Sequence, residues 1–160
     1  MKRTPVCKEM VKMFEGLKLG AYSDPVGVQT IGYGHVVKLG EGLGPYLADP
    51  EEAERILGED LDRTEVGVEG LVGDLNCTPW EMDALVSFAF NVGVGALGKS
   101  TLLRCIQCKD RRAAAAEFAK WKFAGGKPLP GLVKRRRAEA VRFLGGDFPL
   151  VAGCYHGGGD

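Results

Sequence analysis

The sequence contains no apolar run that approaches the roughly 18 residues needed to cross a membrane. It also lacks the apolar stretch that follows the charged start of a secretion signal, although residues 1–9 carry the charges of such a start. Net charge is absent as well, since 21 Lys and Arg balance 21 Asp and Glu. The absence of a long apolar run argues against a membrane-spanning protein. Nothing in residues 1–9 or directly after them predicts export by a signal peptide.

Histidine is scarce and cysteine follows no metal-binding pattern. The two histidines are His35 and His156, and the five cysteines are an odd number. Cys105 and Cys108 form a C-x-x-C pair within a helical pattern, without a second pair to complete a zinc site. A chain of 160 residues needs no disulfide to fold. We therefore expect no metal and no cofactor, with free thiols in a protein made in a reducing compartment.

The charges are unevenly distributed although the chain is neutral as a whole. Residues 41–83 contain 13 acids and 2 bases, whereas residues 99–160 contain 13 bases and 5 acids. A basic end can bind an anionic polymer such as nucleic acid, a lipid surface or an acidic glycan. Two oppositely charged halves that pack on each other would account for the same pattern.

Hydrophobic periodicity predicts an α+β fold that is mostly helical. Helical spacing indicates a first helix over about 5–19 and another over about 50–66. Thr78 and Glu81 form a capping-box pattern at the start of a nearly all-apolar helix. Ser100 should cap a helix to about Cys108, and Asp110 one to about Phe123. Strand-forming residues with many glycines lie between the first two of these helices, over about 20–48. We expect a single domain with a small antiparallel β lobe, a larger helical lobe over about 67–145, a cleft between the lobes, and a Gly-rich tail over 146–160.

Three residues near the first helix and the sheet could act together in catalysis. Glu15 lies near the end of the helix, Asp24 in the turn before the sheet, and Thr30 in a strand. Each alone has a structural explanation. Together, one protonated carboxyl and one carboxylate match the requirement of glycoside hydrolysis, with a hydroxyl to hold the attacking water.

The segment that contains these residues reads EGLKLGAYSDPVGVQTIGYGH, from Glu15 to His35. It strongly resembles the active-site segment of phage-type lysozymes, the endolysins of glycoside hydrolase family 24, whose Glu, Asp and Thr stand at these spacings before Gly-x-Gly-His. The resemblance covers about residues 10–145. Within it, residues 121–136 are similar to the lambdoid-phage branch of the family.

The resemblance implies a lysozyme-like fold and cleavage of the β-1,4 bond between N-acetylmuramic acid and N-acetylglucosamine in peptidoglycan. Glu15 would be the general acid, and Asp24 and Thr30 would position the water or stabilise the transition state. The family's assignment implies inversion at the sugar. The resemblance also implies an acidic partner for His35 on the helix after the sheet, at Asp60, in a structural role.

Four further residues are expected to bind the glycan. Phe90 and Asn91 end the apolar helix and should line the groove, although core packing explains Phe90 equally well. Some relatives have an arginine just inside the last helix, beside the acid. Here Arg135 or Arg136 could take that place.

Several alternatives remain open at this stage. A lytic transglycosylase would cut the same bond without water, although Thr30 and Asp24 favour hydrolysis. A lysozyme-fold protein without activity would bind peptidoglycan only. A zinc amidase needs about three ligands and has only His35 and His156 as histidines. A Cys-His peptidase could use Cys7 with His35.

The predicted partners follow from the same resemblance. We expect a monomer that acts on peptidoglycan glycan strands in host-cell lysis and binds neither nucleic acid nor metal. It would be made in the host cytoplasm and would reach the cell wall through a membrane lesion formed by a holin. An N-terminal membrane anchor outside this sequence would be another route.

Overall fold

The computed structural model describes residues 1–24, 27–47 and 49–148. His156, Cys154 and most of the predicted tail therefore lie outside the described residues. The helices and strands over the described residues are α1 (Pro5–Glu15), β1 (Lys18–Ser23), β2 (Gln29–Gly32), β3 (His35–Val36), α2 (Pro50–Val72), α3 (Pro79–Val92), α4 (Val94–Gly98), α5 (Thr101–Gln107), α6 (Arg111–Glu117), β4 (Phe123–Ala124), β5 (Lys127–Pro128) and α7 (Pro130–Phe143). No helix in this described part of the chain is both long and apolar enough to span a membrane.

The chain divides into two compact units. The β unit consists of residues 8–63, and the helical unit joins residues 1–7 to the chain from residue 64 onward. Helices α1 and α2 each contribute to both units, since a unit boundary falls within each helix. The first helix ends at Glu15 instead of about residue 19, because Gly16 follows with a φ of +70° and β1 begins two residues later.

The β unit is built around a three-stranded antiparallel sheet in the order β1-β2-β3. Tyr22 of β1 lies opposite Thr30 of β2, which in turn lies opposite Val36 of β3. Thr30, Ile31 and Gly32 are all buried, so the central strand β2 has little exposed surface. Helix α2 begins where Asp49 accepts a hydrogen bond from the Glu52 amide, and it runs beyond the predicted end to Val72.

The helical unit is organised around α3, which is buried from Glu81 to Ala89. The ring of Phe88 packs edge-on against Phe118 and Trp121, with centroid distances of 5.4 and 5.2 Å. The fully buried carboxylate of Asp83 accepts hydrogen bonds from the Thr4 amide and hydroxyl and from the Arg142 guanidinium. These charge-assisted bonds join the start of α1, α3 and the end of α7 within this unit.

The region after Asp110 differs from the predicted helix to about Phe123. Asp110 caps α6 as expected, but the helix ends at Glu117 and a short 3-10 turn follows at Phe118–Lys120. Strands β4 and β5 then form a hairpin whose turn has Gly125 and Gly126 at φ values of +60° and +80°. Two consecutive residues with positive φ are the requirement of a tight hairpin turn, which glycine meets without strain.

We predict that Thr78→Ala lowers the free energy of unfolding by about 1 kcal/mol. The Thr78 hydroxyl accepts a hydrogen bond from the Glu81 amide, and the Glu81 carboxylate accepts one from the Thr78 amide, so the capping box predicted from the sequence is present. Denaturant unfolding measures the loss, and Thr78→Ser should keep most of the stability. Equal loss in both variants would contradict a capping role.

Candidate active site

Glu15 is positioned at the junction of α1 and the sheet. Its carboxylate lies against the backbone of Gly34, in the turn between β2 and β3. A methyl group added at Gly34 would stand 3.1 Å from Glu15 Cδ and only 2.7 Å from Glu15 Oε2, and the second distance is too short for a real contact. The turn also holds Gly34 at a φ of +71°, which favours glycine on conformational grounds. Glycine at this position therefore lets the backbone approach the carboxylate.

Asp24 closes the loop that joins β1 to β2. Its Oδ1 accepts a hydrogen bond of 2.8 Å from the Val28 amide, and its own amide donates one of 2.8 Å to the Val28 carbonyl. The Asp24 carbonyl also accepts from the Gly27 amide. The turn geometry expected of Asp24 is thus present, and it fixes the direction of the carboxylate.

Thr30 and Tyr22 form a cross-strand pair between β2 and β1. Thr30 is buried, and its hydroxyl donates to the Val28 carbonyl at 3.1 Å. Partial burial raises the pKa of the Tyr22 phenol, and the negative charges of Glu15 and Asp24 raise it further. Because both charges act on one phenol, Glu15 and Asp24 lie within electrostatic range of the same point on the sheet.

His35 is buried on β3 between two carboxylates. Its Nδ1 lies 2.7 Å from Asp60 Oδ2, the contact expected from the sequence, and its Nε2 lies 2.7 Å from Glu41 Oε1. Asp60 also pairs with Arg63, one turn further along α2. His35 thereby connects the sheet to α2 and to the loop that follows β3.

Glu41 is the residue of this cluster that sequence reasoning missed. Its second oxygen accepts a hydrogen bond of 2.8 Å from the Lys38 amide. That backbone bond lowers the pKa of the Glu41 carboxyl, and the hydrogen bond and charge of His35 lower it further. Glu41 lies in an irregular loop, so neither a helix nor a strand period indicates that it faces His35.

The four predicted glycan-binding residues lie in the helical unit. Phe90 is half-buried and Asn91 is exposed at the end of α3. The Asn91 side-chain oxygen accepts a hydrogen bond of 2.7 Å from Arg136 Nη2. The structure thus brings Asn91 and Arg136 into contact.

Arg135 and Arg136 are buried on α7, with only 3% and 1% of their surface exposed. Both approach the fully buried Glu139, with nitrogen to oxygen distances of 3.2 and 3.1 Å. Arg135 also donates to the Ser87 carbonyl at 3.0 Å. Through these internal contacts the two arginines hold α7 against α3. Glycan binding by either guanidinium stays a prediction.

The described residues contain no cluster of three or more His, Cys, Asp or Glu side chains with the geometry of a metal site. Cys7 and Cys77 are buried free thiols, and burial raises the pKa of the Cys77 thiol to about 11. A thiol with that pKa is protonated at neutral pH and is a poor nucleophile. The Cys-His alternative would require such a thiol at Cys7, whose pKa burial also raises.

The chain matches the phage lysozyme family over residues 12–139 and therefore belongs to that family. It is 43% identical over 146 residues to an endolysin of Bacillus phage B103, covering 89% of this chain but only 54% of that relative. An endolysin of Salmonella phage P22 is 40% identical over 137 residues, which are 84% of this chain and 92% of that protein. The chain thus spans about half the length of the first relative and nearly all of the second.

Solved structures show the same relationship. The muramidase domain of SpmX from Asticaccaulis excentricus has a TM-score of 0.80 and 33% identity, over 89% of this chain and 97% of that one. The family and the lysozyme-like α+β fold predicted from the sequence are confirmed by these matches.

We predict that Gly34→Ala abolishes most lytic activity while leaving the protein folded. The added methyl group displaces the Glu15 carboxylate, which as the end of a flexible side chain can shift at little cost in stability. Lysis of permeabilised cells and the thermal unfolding midpoint measure the two effects.

Gly40→Ala is the matched control for Gly34→Ala. Gly40 has a φ of +78°, so alanine there meets a similar backbone strain of about 1–2 kcal/mol, but its added methyl group would meet no atom within 4 Å. Gly40→Ala should keep its activity. Equal activity in the two variants would show that the close approach to Glu15 has no catalytic consequence.

We predict that Glu41→Gln destabilises the protein by about 1 kcal/mol at neutral pH and has little effect in acid. A carboxyl whose folded-state pKa is lowered contributes stability above its unfolded pKa, near 4.3, and loses it as pH falls through the lower folded value. The difference in unfolding free energy between wild type and variant should therefore shrink below about pH 4. A difference that stays constant from pH 7 to pH 3 would contradict an ionic role for Glu41.

Proposed function

We propose that the chain is an endolysin muramidase that hydrolyses the β-1,4 bond between N-acetylmuramic acid and N-acetylglucosamine. Membership of the phage lysozyme family supports the reaction class. One observation supports the assignment of residues: the negative charges of Glu15 and Asp24 both raise the pKa of the Tyr22 phenol, so the two carboxyl groups lie within electrostatic range of one side chain. Glycoside hydrolysis requires such a pair.

Glu15 is proposed as the general acid. It must carry a proton when substrate binds, so that it can donate to the leaving glycosidic oxygen. The Gly34 backbone lies against one side of its carboxyl group and leaves no room there for a side chain.

Asp24 and Thr30 are proposed to hold the attacking water. The Val28 amide donates a hydrogen bond to Asp24 Oδ1, which orients the Asp24 carboxylate. The Thr30 hydroxyl bonds the carbonyl of the same residue, Val28, so one short loop positions both groups. A water held in this way would attack the sugar from the face opposite Glu15 and invert the anomeric carbon, for which the carboxyl groups should stand roughly 6.5–9.5 Å apart.

The remaining parts of the proposal concern the cellular setting. A muramidase made in the cytoplasm needs a passage to the wall, and we propose a holin lesion for it. The enzyme would then act as a monomer on glycan strands. Release of the enzyme from cells that express it with and without a holin tests this route.

Substitution of the three groups tests the catalytic assignment. Glu15→Gln should abolish lysis of cells with a permeabilised outer membrane, while Asp24→Ala and Thr30→Ala should each lose most activity. Glu9→Gln is the matched control, since Glu9 is an exposed carboxylate on the same helix. Near wild-type lysis by folded Glu15→Gln would remove Glu15 from the role of acid.

The reaction products distinguish hydrolysis from transglycosylation. Mass spectrometry of digested peptidoglycan should show reducing sugars, which carry the added water, and not anhydro sugars. Proton NMR of a fresh digest should show the inverted anomer first, before it equilibrates. Anhydro products would make the protein a lytic transglycosylase, and retention of configuration would replace the proposed water attack by a covalent step.

A further inference from the structure

The β unit carries an aromatic side chain that is open to solvent although its backbone is fixed. Tyr46 lies between β3 and α2, and 76% of its surface is exposed. Single exposed apolar side chains are common on protein surfaces and need no explanation. Tyr46 differs from these because both of its neighbours are hydrogen-bonded to β1. The Pro45 carbonyl accepts a bond of 2.7 Å from the Ala21 amide, and the Leu47 amide donates one of 2.8 Å to the Leu19 carbonyl.

Gly20 lies opposite Tyr46 in this pairing, as the β1 partner of an antiparallel bridge. The two hydrogen bonds flank the pair, and at that position of an antiparallel ladder the side chains approach most closely. A methyl group added at Gly20 would stand 3.1 Å from Tyr46 Cε1 and 3.3 Å from Cδ1. The absence of a side chain at Gly20 therefore leaves room for one edge of the Tyr46 ring against the β1 backbone.

The residue after Tyr46 fixes the direction of the ring. Leu47 is buried, and its Cδ1 lies beside Gly32 and Ala53 in the interior of the β unit. Successive side chains of an extended segment point to opposite sides, so a buried Leu47 directs Tyr46 outward. A ring held in this way loses little conformational freedom when a ligand binds to it.

The Tyr46 ring lies close to the candidate active site along the sheet. Its partner Gly20 is two residues before Tyr22 on β1, so the Cα atoms of Gly20 and Tyr22 are no more than about 7 Å apart. Tyr22 is the residue whose phenol responds to the charges of Glu15 and Asp24. All five residues belong to the β unit. A polymer that extends past the two carboxyl groups along β1 would meet the ring of Tyr46.

The chemistry of an exposed phenol ring suits the broad face of a sugar. The face of an aromatic ring is apolar and carries partial negative charge. A pyranose ring presents C–H groups on its broad faces and hydroxyl groups at its rim. It can therefore stack on the aromatic face while water continues to solvate the hydroxyl groups.

We propose that Tyr46 is a stacking subsite for a sugar ring of the glycan strand, one or more units away from the bond that is cut, an inference that rests on the proposed function. The subsite binds the strand equally well before and during bond cleavage, so it lowers KM and leaves kcat unchanged. It gives no advantage on fragments that are too short to reach the ring. The enzyme thereby prefers long glycan strands over short oligosaccharides.

Substitutions at Tyr46 separate the aromatic ring from apolar area in general. Binding of peptide-free glycan strands is measured by NMR titration in the Glu15→Gln background, which should leave the strands intact. Tyr46→Ala and Tyr46→Leu should each weaken binding about five- to tenfold, and Tyr46→Phe should bind like the parent protein. Leu39→Ala is the matched control, because Leu39 is a fully exposed apolar side chain of the same segment, and its affinity should not change.

Gly20→Ala tests the seat of the ring without removing the ring. The added methyl group displaces the edge of Tyr46, so binding should weaken, although less than in Tyr46→Ala. The thermal unfolding midpoint of each variant shows that it is folded. Parent-like binding by folded Tyr46→Ala, or an equal loss in Leu39→Ala, would overturn the proposal.

Kinetics separate this inference from the proposed function. The kcat/KM of the wild-type enzyme should rise with strand length, and in Tyr46→Ala this rise should flatten through a higher KM at unchanged kcat. A protein that binds strands through Tyr46 but releases no sugar would contradict the muramidase proposal alone. Active enzyme whose KM and length dependence are the same in wild type and Tyr46→Ala would contradict the stacking subsite alone.

Discussion

The close approach of the Glu15 carboxylate to the Gly34 backbone is the constraint on which the rest of the candidate site depends. It requires α1 to end at Glu15, the chain to turn sharply at Gly16, and the turn between β2 and β3 to lack a side chain where the carboxylate lies. The sheet register then places Thr30 beside Tyr22, which responds to the charges of both Glu15 and Asp24. The geometry of the candidate site is thus set mainly by backbone turns.

Buried ionic contacts fix the elements around these turns. In the helical unit Glu139 has no exposed surface, and its burial raises the pKa of its carboxyl while Arg136 and Arg135 lower it. Burying such a group is costly unless its partners are well placed, so removing one arginine should be far more damaging than an exposed charge change. In the β unit His35 performs a similar task, since it joins carboxylates from α2 and from a loop.

Short-range signals in the sequence predict the helix starts well. Thr78, Ser100 and Asp110 all cap helices as expected, because a capping residue needs only neighbours within one turn. The end of α1 was predicted too late, since Leu17 and Leu19 extend the apolar spacing although the backbone has already turned. The β4–β5 hairpin was missed because two-residue strands are too short to show alternation.

The catalytic candidates were found from the sequence because their motif is local, within 16 residues of chain. The basic run of α7 shows the opposite case. Four consecutive bases indicate a solvent-exposed face, yet a helix turns about 100° per residue, and Arg135 and Arg136 meet Glu139 inside. The sequence signal for these contacts was Glu139, which follows Arg136 by three residues and Arg135 by four. Glu41 had no comparable signal, since only the folded loop brings it to His35.

The contact between Thr4 and Asp83 has a consequence for the order of folding. It joins residues 79 positions apart, so forming it from a flexible chain costs an entropy of loop closure of about 4 kcal/mol beyond a constant term. The intervening β unit is one continuous stretch, residues 8–63, and forms a compact unit of its own. If this stretch orders first, fewer flexible residues separate Thr4 from Asp83 and the closure cost falls. We therefore expect the β unit to form early and the first seven residues to dock last, as the step that completes the helical core.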